Sequence, residues 1–335
     1  MPFAGAERRT VLLVGAESKG PGEDSEVGKD SYVALLDRTS AAPISWGVCE
    51  VPGWGLELPA ERVLSEMATA GFTATELGSA GYLPSDPIEL SSLLERHGLT
   101  LSGAFVPLAL HSRSGLAQTQ AQARAAAELL AAAGGRHFIT CIVSDPESWE
   151  RPELTDDNWA AIAEGLRWVD ELCANLGLVQ VLHAHVDSLI ETAAEIQWVV
   201  DNTDVAFVLE TGHFTIGGYD PVEFVELHAD RVGLVHIKDV SLQVAARLNA
   251  GEVSLMEAVQ QGLFPPLGLG DLGPDKTIRS LEETGYSGWY VLEQDVAITG
   301  GEPPAGDGPL LGVLTSIEYL RSVESELAGP TSPTN

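Results

Sequence analysis

The 335-residue chain is short of basic residues. Only 18 Lys and Arg stand against 49 Asp and Glu, a formal charge of -31. Nucleic acids and anionic membranes are bound through clustered cations, so neither is expected as a partner. The acidic excess suits solubility and a site for a cation, although most such carboxylates simply face water. Cysteine is scarce as well. Cys49, Cys141 and Cys173 are far apart and form no CxxC pair. This excludes a disulfide framework or a zinc knuckle and favours a reduced, cytoplasmic setting. No apolar run reaches the ~18 residues of a membrane span. VLLVG after Arg8-Arg9 is too short for a secretory signal. There is no GxSxG elbow and no P-loop, which removes the commonest hydrolase and nucleotide-hydrolysing readings. Gly268, Gly270 and Gly273 do spell GxGxxG. FPPL precedes them and Pro274 follows at once, so a dinucleotide fingerprint is excluded and a loop closing near a site is expected.

What the chain has is a regular alternation. Hydrophobic residues make up 44%, enough for a large core. Strands are expected at 44–51, 73–77, 99–107, 137–144, 179–185, 205–213, 232–240 and 289–295. Helical patterns fall between them, such as PAERVLSEMATAG, AQTQAQARAAAELLAAAGG and NWAAIAEGLRWVDELCANLG. Eight near-continuous apolar strands separated by helices indicate a parallel sheet covered on its outside. Eight repeats favour a closed (β/α)8 TIM barrel, an α/β fold, over an open doubly wound sheet. Residues 43–328 are assigned to one barrel domain. Residues 1–42, with the polar stretch SKGPGEDSEVGKDS, read as a partly ordered N-terminal extension, and 329–335 as a flexible tail. Residues 241–272 form a long insertion before the last strand, helical in its first half, of the kind that shapes active sites.

Chemistry in a barrel gathers at the C-terminal ends of its strands. His111, His183, His185, His213 and His236 all fall there. One such histidine is more often structural than a ligand; five on one rim call for another reason. Glu76, Glu210 and Glu293 end the second, sixth and eighth strands. A carboxylate closing a buried apolar strand costs several kcal/mol unless it is paired or bound to a metal. His183, Glu210, His236 and Glu293 come from four successive strands and are the expected ligands of a divalent ion. The competing reading is a set of rim salt bridges. Imidazole with carboxylate suits manganese or cobalt, then zinc or iron, better than calcium or magnesium alone. Lys238, two residues past His236, shares its side of the strand and is placed to polarise a carbonyl or move a proton, or else to neutralise Glu210 or Asp239. Trp46, Trp54 and Trp289 are candidates for stacking on a sugar ring, although tryptophans are more often core.

The segments PISWGVCEVPGWG, LHAHVDSLIET, LETGHFTIGGYDP, VHIKDVSLQVAARL, FPPLGLGDL and GYSGWYVLEQD resemble the xylose-isomerase-like TIM-barrel superfamily, and within it the inosose dehydratase group. The resemblance spans residues 43–325. It implies a metal held by Glu, Asp, His and Glu from successive strands. His236 and Glu293 match the last two. Glu210 stands where the family motif DTGH has Asp, and His183, in an HxH pattern with His185, takes the first position. The Gly-Thr that usually follows HxH is absent. Glu191 matches the acidic residue after that pattern, and it is grouped with Glu76, Trp46 and His111 as substrate-binding. The implied activity is dehydration of a keto-cyclitol through an enediolate. Glu293, Glu210 or His185 would serve as base, Lys238 as charge stabiliser, and His213 or His185 as acid. An isomerase or epimerase of a keto-sugar, a carbon-glycoside-cleaving subunit and a sugar-binding barrel without turnover are the alternatives. The partner in each case is a small polyhydroxylated molecule, and a homodimer is compatible with the scaffold.

Overall fold

A computed structural model describes residues 33–329 apart from Glu50 and Glu147. The first 32 residues of the expected extension, and residues 330–335 of the expected tail, lie outside the described residues. Apolar strands with no polar face must be buried on both sides, and closure achieves this. The eight parallel strands are β1 (Thr39–Ala41), β2 (Ala74–Glu76), β3 (Thr100–Leu108), β4 (His137–Ile142), β5 (Val179–His183), β6 (Ala206–Glu210), β7 (Val232–Ile237) and β8 (Tyr290–Leu292). They pair in sequence order, and β8 returns to β1 through Thr39–Tyr290, Ser40–Val291 and Ala41–Leu292. The expected (β/α)8 barrel is the fold.

The first strand is not where the hydrophobic pattern places it. The run at 44–51 begins with a single 3-10 turn, Pro43–Trp46, which Gly47 ends at φ 85. Pro43 supplies no amide for a ladder, and the left-handed Gly47 breaks extension. The true strand is the preceding Thr39-Ser40-Ala41, small and fully buried. The barrel therefore starts inside the segment assigned to the extension.

Outside the barrel run α1 (Ala60–Ala70), α2 (Pro87–Arg96), α3 (Leu116–Ala132), α4 (Asp156–Asn175), α5 (Ala193–Asn202), α6 (Thr211–Ile216), α7 (Pro221–His228), α8 (Leu242–Asn249), α9 (Leu255–Gln260), α10 (Asp275–Glu283) and α11 (Pro309–Leu327). Their starts follow local chemistry. Thr155 and Asn158 form a capping box on α4, Thr192 and Glu195 one on α5, and Ser254 and Glu257 one on α9. The helix α11 is absent from the predicted set. Its Leu310, Val313, Ile317, Leu320 and Val323 recur at helical spacing and are buried in the main core.

Two strand ends at the barrel mouth depart from the hydrophobic pattern. The pattern predicts β6 through residue 213, but it stops at Glu210, whose own carboxylate accepts from the His213 amide and caps α6. β5 is expected through residue 185 but stops at His183, and the chain then turns, with Asp187 at φ 65.

The insertion folds over the barrel mouth. α8 and α9 bury Ala245, Ala258 and Val259, and the loop after them Leu263, against Trp54, Val186, Ile216 and Val240. The loop after α9 is organised by one buried carboxylate. Asp239 accepts from the amides of Gly268 at 2.9 Å, Gly270 at 3.0 Å, Leu272 at 3.1 Å and Val240 at 2.9 Å. That is the physical content of the GxGxxG spacing: Gly268 adopts φ 81, and a side chain on Gly270 would collide with Asp239. Among the described residues no helix is long and apolar enough to cross a membrane.

Candidate active site

The barrel interior is plugged by Ala42, Ile139, Val181, Val208, Leu234 and Val291. Side chains two residues apart on a strand share a face. Two residues beyond Val181, Val208, Leu234 and Val291 come His183, Glu210, His236 and Glu293, so the next layer toward the C-terminal mouth is polar. All four side chains are buried, with Glu210 at 0% and His183 and His236 at 1% exposure.

The histidine rings touch: His183 lies 5.1 Å from His236, 5.6 Å from His213 and 5.4 Å from His185, ring centre to ring centre. His185 and His213 are 3.8 Å apart. His236 is engaged on both sides. Its Nε2 meets Glu76 Oε1 at 2.8 Å, and its Nδ1 faces Glu293 Oε2. Lys238 Nζ contacts Asp295 Oδ1 at 2.7 Å, Glu293 Oε1 at 3.4 Å, Glu210 Oε1 at 3.7 Å and His213 Nε2 at 3.5 Å. It also lies 4.5 Å from the ring centre of Phe264, which the insertion supplies.

One histidine proton is assigned by its neighbour. His185 Nδ1 lies 2.6 Å from the carbonyl of Val186, so Nδ1 donates and Nε2 carries the lone pair. His213 meets a donor at each ring nitrogen, the Val186 amide 3.4 Å from Nδ1 and the Lys238 ammonium 3.5 Å from Nε2.

Two buried polar atoms in this layer, His183 Nδ1 and Glu210 Oε1, have no hydrogen-bond partner, and His236 Nδ1 and Glu293 Oε2 have only each other. Native interiors rarely leave such atoms unsatisfied, and a cluster of them marks a place built for something else. One ligand atom each from His183, His236 and Glu293 lies within 4.8 Å of the others. Two imidazoles and one carboxylate at that spacing fit a divalent transition-metal ion. Glu76 then occupies the place of the carboxylate that orients a ligand imidazole through its far nitrogen.

Burial and charge set the protonation of the site. Burial keeps His183 and His213 neutral, well below the usual histidine range, and lowers His185 to about 4. Burial also pushes Glu210 up to about 7, against the pull of Lys238. His236 goes the other way: burial disfavours its charge, but Glu76 and Glu293 outweigh it and raise it to about 10. In the metal-free protein the three lowered histidines contribute stability that is present above pH 6.5 and is lost as pH falls toward their folded values. Each costs about 1.4 kcal/mol per pH unit in that window. Glu210 and Asp295, whose folded values are raised, offset part of this. His236 contributes fully below 6.5 and loses its contribution as pH rises toward 10. Within this cluster the three histidines outnumber the two carboxylates, so its net effect is a loss of stability on the acid side. The urea midpoint of chelator-treated protein should therefore peak near neutrality and fall from pH 6.5 to 4.5; a flat profile over that range contradicts the assignment.

The remaining expected site residues are distributed differently. Trp46 is fully buried in the core, with its indole N–H donating to Glu66 at 2.9 Å, and so does not face a substrate. Trp54 is buried beside the insertion. Glu76 is inside the cluster, behind His236. Glu191 is tied to Arg151 at 2.9 Å and accepts from the Asp187 amide at 3.0 Å, so it braces the turn after HxH. His111 lies in the loop after β3, its carbonyl accepting from Asn158 at 2.8 Å. The cluster also contains residues that the sequence pattern did not single out. Asp295 could have been found, since it continues the alternation from Glu293. Phe264 and Trp149 could not, because their positions depend on loop paths, and Phe105, 5.6 Å from His183, reads as one more apolar residue of β3. Trp149, at φ 53, has its ring centre 5.2 Å from that of His185.

Comparison with known proteins agrees with this architecture. The inosose dehydratase of Geobacillus kaustophilus (strain HTA426) is 34% identical over 275 residues, covering 78% of this chain and 89% of that protein. The solved structure of the IolI protein with a bound zinc atom superposes with TM-score 0.64 at 13% identity, over 86% of this chain and 98% of its own. D-allulose 3-epimerase from Methylomonas sp. gives TM-score 0.63 at 17% identity, over 87% and 99% of the two chains. The model of the xylose isomerase-like TIM barrel matches residues 64–322. With that match running from α1 into α11 and taking in every polar residue of the mouth, the chain belongs to the xylose isomerase-like TIM-barrel family.

Proposed function

We propose that the chain is a divalent-metal-dependent dehydratase acting on a keto-cyclitol such as 2-keto-myo-inositol. The observation that carries this is the convergence of buried ligand atoms of His183, His236 and Glu293 within 4.8 Å of one another. The substrate class is supported by the curated relative, an inosose dehydratase, at 34% identity. His183, His236 and Glu293 would hold the ion, which supplies Lewis acidity that weakens the C–H bond beside the substrate carbonyl. Manganese or cobalt suits this donor set, with zinc, the ion bound in the IolI structure, as the nearest rival.

The chain's own groups carry the proton transfers. Glu210 Oε1 has no hydrogen bond, and its carboxyl, pushed to about 7, is suited to accept a proton near neutral pH. It takes the proton from the carbon next to the carbonyl. The negative charge that gathers on the substrate oxygen is met by Lys238 Nζ, held in place by Asp295. The neighbouring C–O bond then breaks, the carbon–carbon double bond forms, and the departing hydroxyl, placed beside His213, takes up the proton that Glu210 carries and leaves as water. Phe264 and the insertion cover Lys238, which is 0% exposed, and exclude bulk water from that charge.

The test is incubation of manganese- or cobalt-loaded protein with 2-keto-myo-inositol in heavy water, read by mass spectrometry. Loss of one water is expected. Deuterium gain without loss of water would replace the dehydratase with an epimerase or isomerase, and an unchanged substrate would reject this substrate class.

A further inference from the structure

Glu210 departs from its family by one methylene, and the structure shows where that methylene goes. One carboxylate oxygen, Oε2, is committed to the amide of His213 as the cap of α6. The other, Oε1, lies 3.7 Å from Lys238 Nζ. Among the described residues, the group of ligand atoms lying within 4.8 Å of one another contains His183, His236 and Glu293 and omits Glu210. Yet Glu210 sits beside His236 in the β6–β7 register, on the strand next to its own. Neighbourhood alone does not bring it into the group; its side chain is directed elsewhere. We infer that this chain holds its divalent ion with three protein groups, His183, His236 and Glu293, and that Glu210 has left the ligand set to act on the substrate.

The consequence is an ion with fewer protein donors than the four-ligand family pattern and more positions for substrate oxygens. Two imidazoles and one carboxylate are a donor set known for keeping positions open to substrate. The cap matters for the same reason. By fixing the first turn of α6, Glu210 holds His213 against His185, 3.8 Å between ring centres, and beside Lys238.

The inference rests on the metal reading above, and cobalt binding separates the two. Chelator-stripped wild type, Glu210→Gln and Glu293→Gln are titrated with cobalt(II) by calorimetry and by visible absorption. The amide oxygen introduced by Glu210→Gln can still accept the His213 amide, so the fold around α6 is kept. Wild type and Glu210→Gln should each bind one equivalent, with affinities equal within about threefold and the same absorption bands. Glu293→Gln should bind at least about 100-fold more weakly. Glu210→Asn, another good cap, gives the same comparison should Glu210→Gln fail to fold. Cobalt loss or altered bands in the Glu210 variants would overturn the three-ligand assignment alone. A wild type that binds no cobalt would overturn the metal reading and this inference together.

Discussion

Replacing His236 with Ala should give a protein that retains no divalent ion and has no measurable turnover. His236 is the hinge of the cluster, with Nε2 on Glu76 and Nδ1 facing Glu293. Removing it takes away one of the three proposed donor atoms and the group between two buried carboxylates. Breaking a buried pair of this kind costs about 3–5 kcal/mol of stability. The loss in turnover is larger. Metal charge stabilisation is worth several kcal/mol, and each ~1.4 kcal/mol is tenfold, so a fall of at least ~10³ is expected. Glu76→Gln is the informative comparison. It leaves the imidazole in place and removes only its charged brace, so metal affinity should fall about 10- to 100-fold. Metal content after dialysis, measured beside turnover and melting temperature, checks both. A His236→Ala protein that keeps its ion and its activity would mean that the cluster is only a set of rim ion pairs.

How much of this was legible in the sequence depends on which physical signal each part carries. β5 to β8 announce themselves, because a barrel strand buried on both faces must be apolar until it reaches the mouth. The change from Val181, Val208, Leu234 and Val291 to His183, Glu210, His236 and Glu293 is visible as a polar residue two places later. β1 gives no such signal. Thr39-Ser40-Ala41 is only three residues long, and its burial comes from neighbours on both sides rather than from its own hydrophobicity. The more apolar stretch after it fails as a strand for local reasons, Pro43 and Gly47. Glu191 was legible as a matching residue but not as a brace, since Arg151 reaches it from another loop. Glu210 is the sharpest case. The sequence shows that a Glu replaces the usual Asp, but which way the extra methylene bends is settled by the amide of His213 three residues on, at the first turn of a helix that the pattern had read as strand.

Lys238→Met should reduce turnover by about 10²–10⁴-fold, with the loss in kcat rather than KM. Lys238 is 0% exposed and is surrounded by Asp295, Glu293 and Glu210, with Phe264 above it. These carboxylates hold its charge: burial lowers its basicity, but Asp295, Glu293 and Glu210 together raise it well above the usual lysine range. The ammonium is therefore permanent at any working pH and cannot serve as a base. Its contribution is electrostatic, aimed at charge that appears only as the reaction proceeds, which is why ground-state binding should be little changed. Methionine keeps the length and the packing against Phe264 but leaves Asp295 buried beside no cation. Asp295 is then expected to take up a proton rather than remain charged. Arginine should not rescue, because a planar fork cannot occupy the space of a compact ammonium among three carboxylates. The measurement is deuterium exchange at the carbon beside the carbonyl, followed separately from water loss. If Lys238 meets the developing oxygen charge, exchange and dehydration fall together in Lys238→Met. Exchange at the wild-type rate with slowed dehydration would move Lys238 to the second half of the reaction, beside the departing hydroxyl and His213.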